Sequence, residues 1–120
     1  MKNKPFISRL GFALEGLRAA FRTERSFRTQ AAVAAALLAL LALLQPPPLW
    51  WALAGVMVAL VLAAELINTA LEGLADHLHP ERHPQIKLVK DCAAGAVLVL
   101  SVGALWVGLW MLWSLWSGGA

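Results

Sequence analysis

The sequence predicts an all-α integral membrane protein, with three transmembrane helices and an N-terminal amphipathic surface helix. Three observations carry that expectation. Hydrophobic residues make up 60% of the 120 and the mean hydropathy is +0.69, a composition suited to lipid rather than to a soluble domain. Three apolar runs have the roughly 20 residues that a helix needs to cross a ~30 Å hydrocarbon layer. Every Lys and Arg lies before Ala31 or between Arg82 and Lys90, so basic charge flanks the runs and does not interrupt them. A chain of this size is expected to form one membrane domain over residues 1–120.

The first element is expected over about residues 6–23. Ile7, Leu10, Leu14, Leu17 and Phe21 recur at the spacing of one helical face, with Glu15, Arg18, Arg22 and Arg25 alongside, the pattern of a basic helix lying on anionic headgroups. The spans are then expected at about 27–44, 49–74 and 92–116. The first is short and must draw on its flanks, with Arg28 snorkelling to the interface. Between the first two lies Gln-Pro-Pro-Pro, Gln45 to Pro48, which cannot continue a helix because proline lacks the amide donor and clashes with the preceding turn. No cleaved leader is expected, since no small-residue cleavage signature closes the first apolar run.

Charge sets the expected orientation. The N-terminal arm holds seven basic residues and the loop before the third span holds three, while the proline turn and the tail from Ser117 to Ala120 hold none. The positive-inside bias puts the N-terminus and second loop in the cytoplasm and the C-terminus outside. Trp50, Trp51, Trp110, Trp113 and Trp116 then fall at the outer interface as anchors. Ala93 to Gly95, Ala104 and Gly108 are small enough to let helices approach closely. The single cysteine, Cys92, excludes an internal disulfide and reads as a packing residue.

The second span carries an anomaly. Glu65, Asn68, Glu72 and Asp76 fall within a narrow arc of one helix face, with Thr69 beside it, since each residue turns the helix by about 100°. A carboxylate at mid-span costs on the order of 2.5–3.5 kcal/mol on insertion scales, so such groups face protein or a wet cavity. Glu65 and Glu72 are separated by about 10 Å along the axis at 1.5 Å per residue. One end of the stripe therefore reaches lipid headgroups and the other reaches water, as a reaction between a lipid hydroxyl and a charged soluble reactant requires.

Such a reactant needs cations, and Lys87 and Lys90 are expected where the third span begins, at a helix N-terminus that itself favours phosphate. Asp91 beside them is either a helix cap or a site residue. Glu24, just before the first span, is the remaining acidic group near the inner interface; with Glu72 it makes an all-oxygen pair suited to Mg²⁺. His77, His79 and His83 share a loop with Pro80 and Pro84 but match no zinc spacing. Neither a GxxxxGK[ST] loop nor GxGxxG occurs, so a nucleotide would be held by charges on helices.

The stretches EGLRAAFRTERSFR, AELINTALEGLAD and HPQIKLVKDCAAGAVLV, from Glu15 to Val99, resemble the prokaryotic diacylglycerol kinase family of small membrane lipid kinases, which also contains undecaprenol kinases. The resemblance implies a homotrimer in a bacterial inner membrane, with sites between subunits that move the γ-phosphoryl group of Mg-ATP to a lipid hydroxyl. Residue by residue, it makes Glu65 the general base with Asn68 beside it, and Glu24 and Glu72 the metal-binding glutamates. Lys90 and Asp91 become nucleotide contacts, as do Glu81 and His83 in the loop. Arg9 is the candidate nucleotide-binding arginine. The chain departs from the family at Ser26, where Asn is frequent, and at Gln30, where His or Glu is frequent. The expected partners are ATP, a membrane lipid and the bilayer, with no nucleic acid.

Diacylglycerol is the leading lipid substrate and undecaprenol the alternative. A small oligomeric transporter would also place a glutamate in the membrane, but has no need of Glu24, Glu72 or the Lys-Asp pair. A non-catalytic assembly factor would tolerate loss of Glu65.

Overall fold

The computed structural model describes residues 2–118, so Gly119 and Ala120 of the uncharged tail lie outside the described residues, as does Met1 of the expected domain. Four helices follow in order: α1 Phe6–Thr23, α2 Arg25–Leu44, α3 Pro48–Leu78 and α4 Pro84–Trp116. The last three are long and apolar enough to cross a membrane.

The α1–α2 corner is a single residue. Glu24 leaves helical geometry (φ −108°, ψ 110°), while its N–H still donates to the Ala20 carbonyl at 2.8 Å. Arg28 closes the corner: its guanidinium donates to the carbonyls of Phe21 and Arg22 at 2.8 and 2.9 Å. A cation on the last carbonyls of a helix meets the negative end of its dipole, so Arg28 fastens α1 to α2 where the sequence suggested a snorkelling side chain.

The proline turn forms as expected, for a reason that can be stated atom by atom. Gln45 adopts the left-handed conformation (φ 49°), its N–H donates to Leu41 at 2.8 Å and its side-chain Nε2 to Ala42 at 2.7 Å, which satisfies carbonyls that the end of α2 would leave open. Pro48 then begins α3, where a missing amide costs nothing. At this end of the bundle Leu41, Ala54 and Met111 are buried together, with Leu37, Trp50 and Leu115 packed on them. The start of α3 and the end of α4 thus share one end with the turn.

Two helices outrun the spans expected from hydropathy. With 31 and 33 residues, α3 and α4 are about 46 and 50 Å long at 1.5 Å per residue, well beyond the ~30 Å hydrocarbon layer. The surplus lies at the opposite end from the turn. There, α3 continues to Leu78 and α4 begins at Pro84, capped by His83, whose ring Nδ1 accepts from the Gln85 N–H at 3.1 Å. Asp91 is therefore not the cap of this helix. Lys90 and Asp91 sit in its second turn, away from the unpaired amides of the N-terminus, and the reading of both as helix-start groups is corrected.

Packing inside the chain is sparse. In the most apolar stretch of each long helix, 17%, 17% and 11% of residues are buried, which leaves most apolar surface to be covered by lipid or by neighbouring chains. Among the described glycines, Gly103 is the one that a neighbouring helix approaches closely: an added Cβ would meet the Met57 methyl at 3.3 Å. Gly108 instead faces open space, beside the groove described below.

Candidate active site

The end of the bundle opposite the proline turn gathers the start of α2, the end of α3 and the start of α4, and the polar stripe of α3 runs through it. Glu65 is only 4% exposed, the one buried charged residue among those described. Its Oε2 accepts a hydrogen bond from Ser26 Oγ at 3.0 Å. That bond crosses from α2 to α3, so the earliest turn of α2 supplies the partner of the deepest carboxylate. Among the described residues no other side chain bonds to it, and an isolated carboxylate so buried would be expensive.

One turn along, Asn68 Nδ2 donates to Glu72 Oε1 at 3.4 Å. Because a carboxylate only accepts, the amide must turn its NH₂ toward Glu72 and its oxygen away. Asn68 Oδ1 is then buried without a partner among the described residues, a condition that costs about 1–3 kcal/mol and that native folds seldom keep without a use. Both Asn68 and Glu72 are half-buried.

Further toward the rim, Lys90 Nζ donates to Asp76 Oδ1, an ion pair joining α4 to α3. Asp76, the member of the stripe with no role assigned from the sequence, thereby holds a cation one helical turn beyond Glu72. Lys87 is occupied elsewhere, paired with Asp91 at 2.5 Å on the exposed face of α4. The two lysines are thus separated in function: one leans on the acidic stripe and the other on its own helix.

Not every expected residue joins this group. Glu24 is half-buried at the α1–α2 corner, and no cluster of three or more His, Cys, Asp or Glu side chains suited to a metal occurs among the described residues. The donor chemistry nonetheless fits Mg²⁺: Glu24 and Glu72 offer only hard oxygens, and this ion takes one or two carboxylates with the remainder from phosphates and water. His83 caps α4 and lies edge-on to His79 with ring centroids 5.5 Å apart. Glu81 is exposed, and its carbonyl oxygen is 3.1 Å from His79 Nδ1. Arg9 is exposed on α1.

Adjoining the Ser26–Glu65 bond is an apolar groove of about 370 Å³ between α2, α3 and α4. Gln30 lies one turn from Ser26 on α2 and Val61 one turn from Glu65 on α3, and both line it, with Leu37, Met57 and Leu105 farther along. A buried carboxylate therefore lies one helical turn beyond a groove that suits hydrocarbon.

Ser26 is the residue that sequence reasoning underweighted, noting it only as a departure. The available signal was its spacing with Gln30: two polar residues four apart on a helix otherwise apolar beyond Gln30 share a face.

Comparison with known proteins gives a consistent result. Residues 11–112 match the family described as prokaryotic diacylglycerol kinase. An undecaprenol kinase of Bacillus subtilis is 35% identical over 78% of this chain and 76% of its own length. A diacylglycerol kinase of Haemophilus influenzae is 32% identical over 82% of this chain and 85% of its own. A diacylglycerol kinase of Synechocystis is 37% identical over 81% of this chain, which corresponds to 56% of that protein.

Proposed function

Since the chain belongs to the prokaryotic diacylglycerol kinase family, we propose that it transfers the γ-phosphoryl group of Mg-ATP to the hydroxyl of diacylglycerol, giving phosphatidic acid. The observation that carries this reading is the buried Glu65 carboxylate one helical turn beyond an apolar groove, on the same helix face as groups suited to a metal-bound polyphosphate. The three long apolar helices make it a multi-pass membrane protein.

In the proposed reaction a lipid lies with its hydrocarbon toward the groove and its hydroxyl beside Glu65. The carboxylate takes the hydroxyl proton as the lipid oxygen bonds to the γ-phosphorus, the bond from that phosphorus to the β–γ bridging oxygen breaks, and ADP departs. Phosphoryl transfer asks chiefly for alignment and neutralisation of charge, with a base for the incoming hydroxyl. Asn68, with an unpaired oxygen and an amide on Glu72, holds the middle of the stripe. Bound through Glu24 and Glu72, Mg²⁺ would supply charge neutralisation on the phosphates. Lys90 meets the phosphates from α4; Asp91, Glu81 and His83 lie toward the rest of the nucleotide.

A homotrimer with sites shared between subunits accounts for the uncovered apolar faces and for the incomplete metal site of one chain. Basic charge around α1 and the α3–α4 loop favours a cytoplasmic N-terminus and an external C-terminus, with α1 lying on the inner membrane surface. Lys90→Ala is then expected to raise the KM for Mg-ATP about tenfold to a hundredfold, as loss of a charge-assisted contact of about 1.5–3 kcal/mol would, with a much smaller change in the KM for lipid. An unaltered nucleotide KM in steady-state assays would take Lys90 out of the site.

A second lipid has a specific claim, because the undecaprenol kinase of Bacillus subtilis is among the similar proteins. The deciding experiment offers the purified protein labelled ATP with diacylglycerol, undecaprenol and ceramide side by side. Diacylglycerol is expected to be phosphorylated fastest; faster labelling of undecaprenol replaces the substrate, and labelling of none removes the kinase reading.

A further inference from the structure

We propose that Ser26 is a positioning residue for Glu65, holding the carboxylate in a single orientation for proton removal; this rests on the reading of Glu65 as the general base. Ser26 Oγ donates to Oε2 of Glu65 at 3.0 Å, and among the described residues it is the one side-chain donor to a carboxylate that is only 4% exposed. With Oε2 occupied, Oε1 is the oxygen left to receive the proton. Without the hydroxyl, the carboxylate loses its one side-chain donor among the described residues and can rotate away from the arriving lipid hydroxyl, so the base is misplaced.

The placement makes this more than a packing contact. Ser26 itself is exposed on the isolated chain, so its hydroxyl fills no cavity and its removal leaves no void in a core. Gln30, one turn on, and Val61, one turn before Glu65, both line the apolar groove, so the bond lies one helical turn beyond the groove, where the hydroxyl of a lipid seated in it would arrive. Its effect should therefore be on the chemical step and not on nucleotide binding, which is governed farther along the stripe.

The test uses the full chain in lipid micelles with Mg-ATP and diacylglycerol. Ser26→Ala is expected to lower kcat about tenfold, equivalent to about 1.4 kcal/mol of activation free energy, with the KM for Mg-ATP within about twofold of the parent. Ser26→Thr, which keeps a hydroxyl, should recover most of the loss. In a Glu65→Gln background, Ser26→Ala should have no further effect. A parental kcat in Ser26→Ala, a loss that threonine does not restore, or an effect confined to the KM for Mg-ATP overturns the proposal. If Ser26→Ala fails to assemble by size-exclusion chromatography, Ser26→Cys, of similar shape but a weak donor, gives the same reading: reduced kcat supports the role and parental kcat overturns it. An active Glu65→Gln is a separate outcome, removing the general base itself, whereas an inactive Glu65→Gln beside a fully active Ser26→Ala removes only the role of Ser26.

Discussion

Replacing Glu65 with glutamine is expected to lower lipid phosphorylation by about 10²–10⁴-fold, the range that a positioned general base contributes. The substitution is nearly isosteric, and the amide oxygen of glutamine can still accept from Ser26, so the α2–α3 contact has no reason to fail. Stability should hold or rise, because a buried charge is exchanged for a neutral group. The groups proposed to hold the nucleotide lie farther along α3 and on α4, so Mg-ATP binding should persist. Phosphate transfer from labelled ATP, read together with size-exclusion chromatography and nucleotide binding, separates these effects. Turnover within about threefold of the parent would leave Glu65 with a structural role only.

The second large effect is expected at Glu72. Its Oε1 is engaged by Asn68, which leaves Oε2 as the oxygen that a metal would take. Glu72→Gln removes that anionic donor and should raise the Mg²⁺ concentration for half-maximal activity on the order of tenfold to a hundredfold, the scale seen when groups around a metal are altered. Excess Mg²⁺ should then restore part of the rate, which distinguishes a lost metal ligand from a lost base. Glu24→Gln should behave alike. A Mg²⁺ titration at fixed ATP provides the measurement, and unchanged metal dependence would exclude both residues from the metal site.

The two ends of the bundle were legible in the sequence to different degrees. The proline turn was plain because backbone chemistry is local: three prolines after Gln45 permit little else, and the structure shows the turn with Gln45 as the left-handed cap. The apolar runs were equally clear as spans, yet they understated α3 and α4. Hydropathy marks where lipid would end, whereas a helix ends where its hydrogen bonds do. Between Leu74 and Leu78 nothing breaks the backbone, and Pro84 begins a helix well before the side chains become apolar at Cys92. For that reason the sequence placed Lys90 and Asp91 at a helix start that lies six residues earlier.

The candidate site was visible as a stripe but not as a set of partners. Periodicity aligns Glu65, Asn68, Glu72 and Asp76 because they share one helix. It is blind to pairs contributed by different helices. Ser26 lies 39 residues before Glu65 and Asp76 lies 14 before Lys90, so both contacts depend on how helices pack. Arg28 shows the same limit. Its position suggested an interface residue, while its guanidinium is spent on the last carbonyls of α1, a use that only the sharp corner at Glu24 creates.

The Ser26–Glu65 bond also bears on biogenesis. During synthesis α2 leaves the ribosome before α3, and N-terminal elements settle first. The hydroxyl is thus made 39 residues before the carboxylate that it meets, and the partner of the buried group exists before the acidic segment does. Chain order alone therefore spares the Glu65 segment a stage at which its donor has yet to be synthesised.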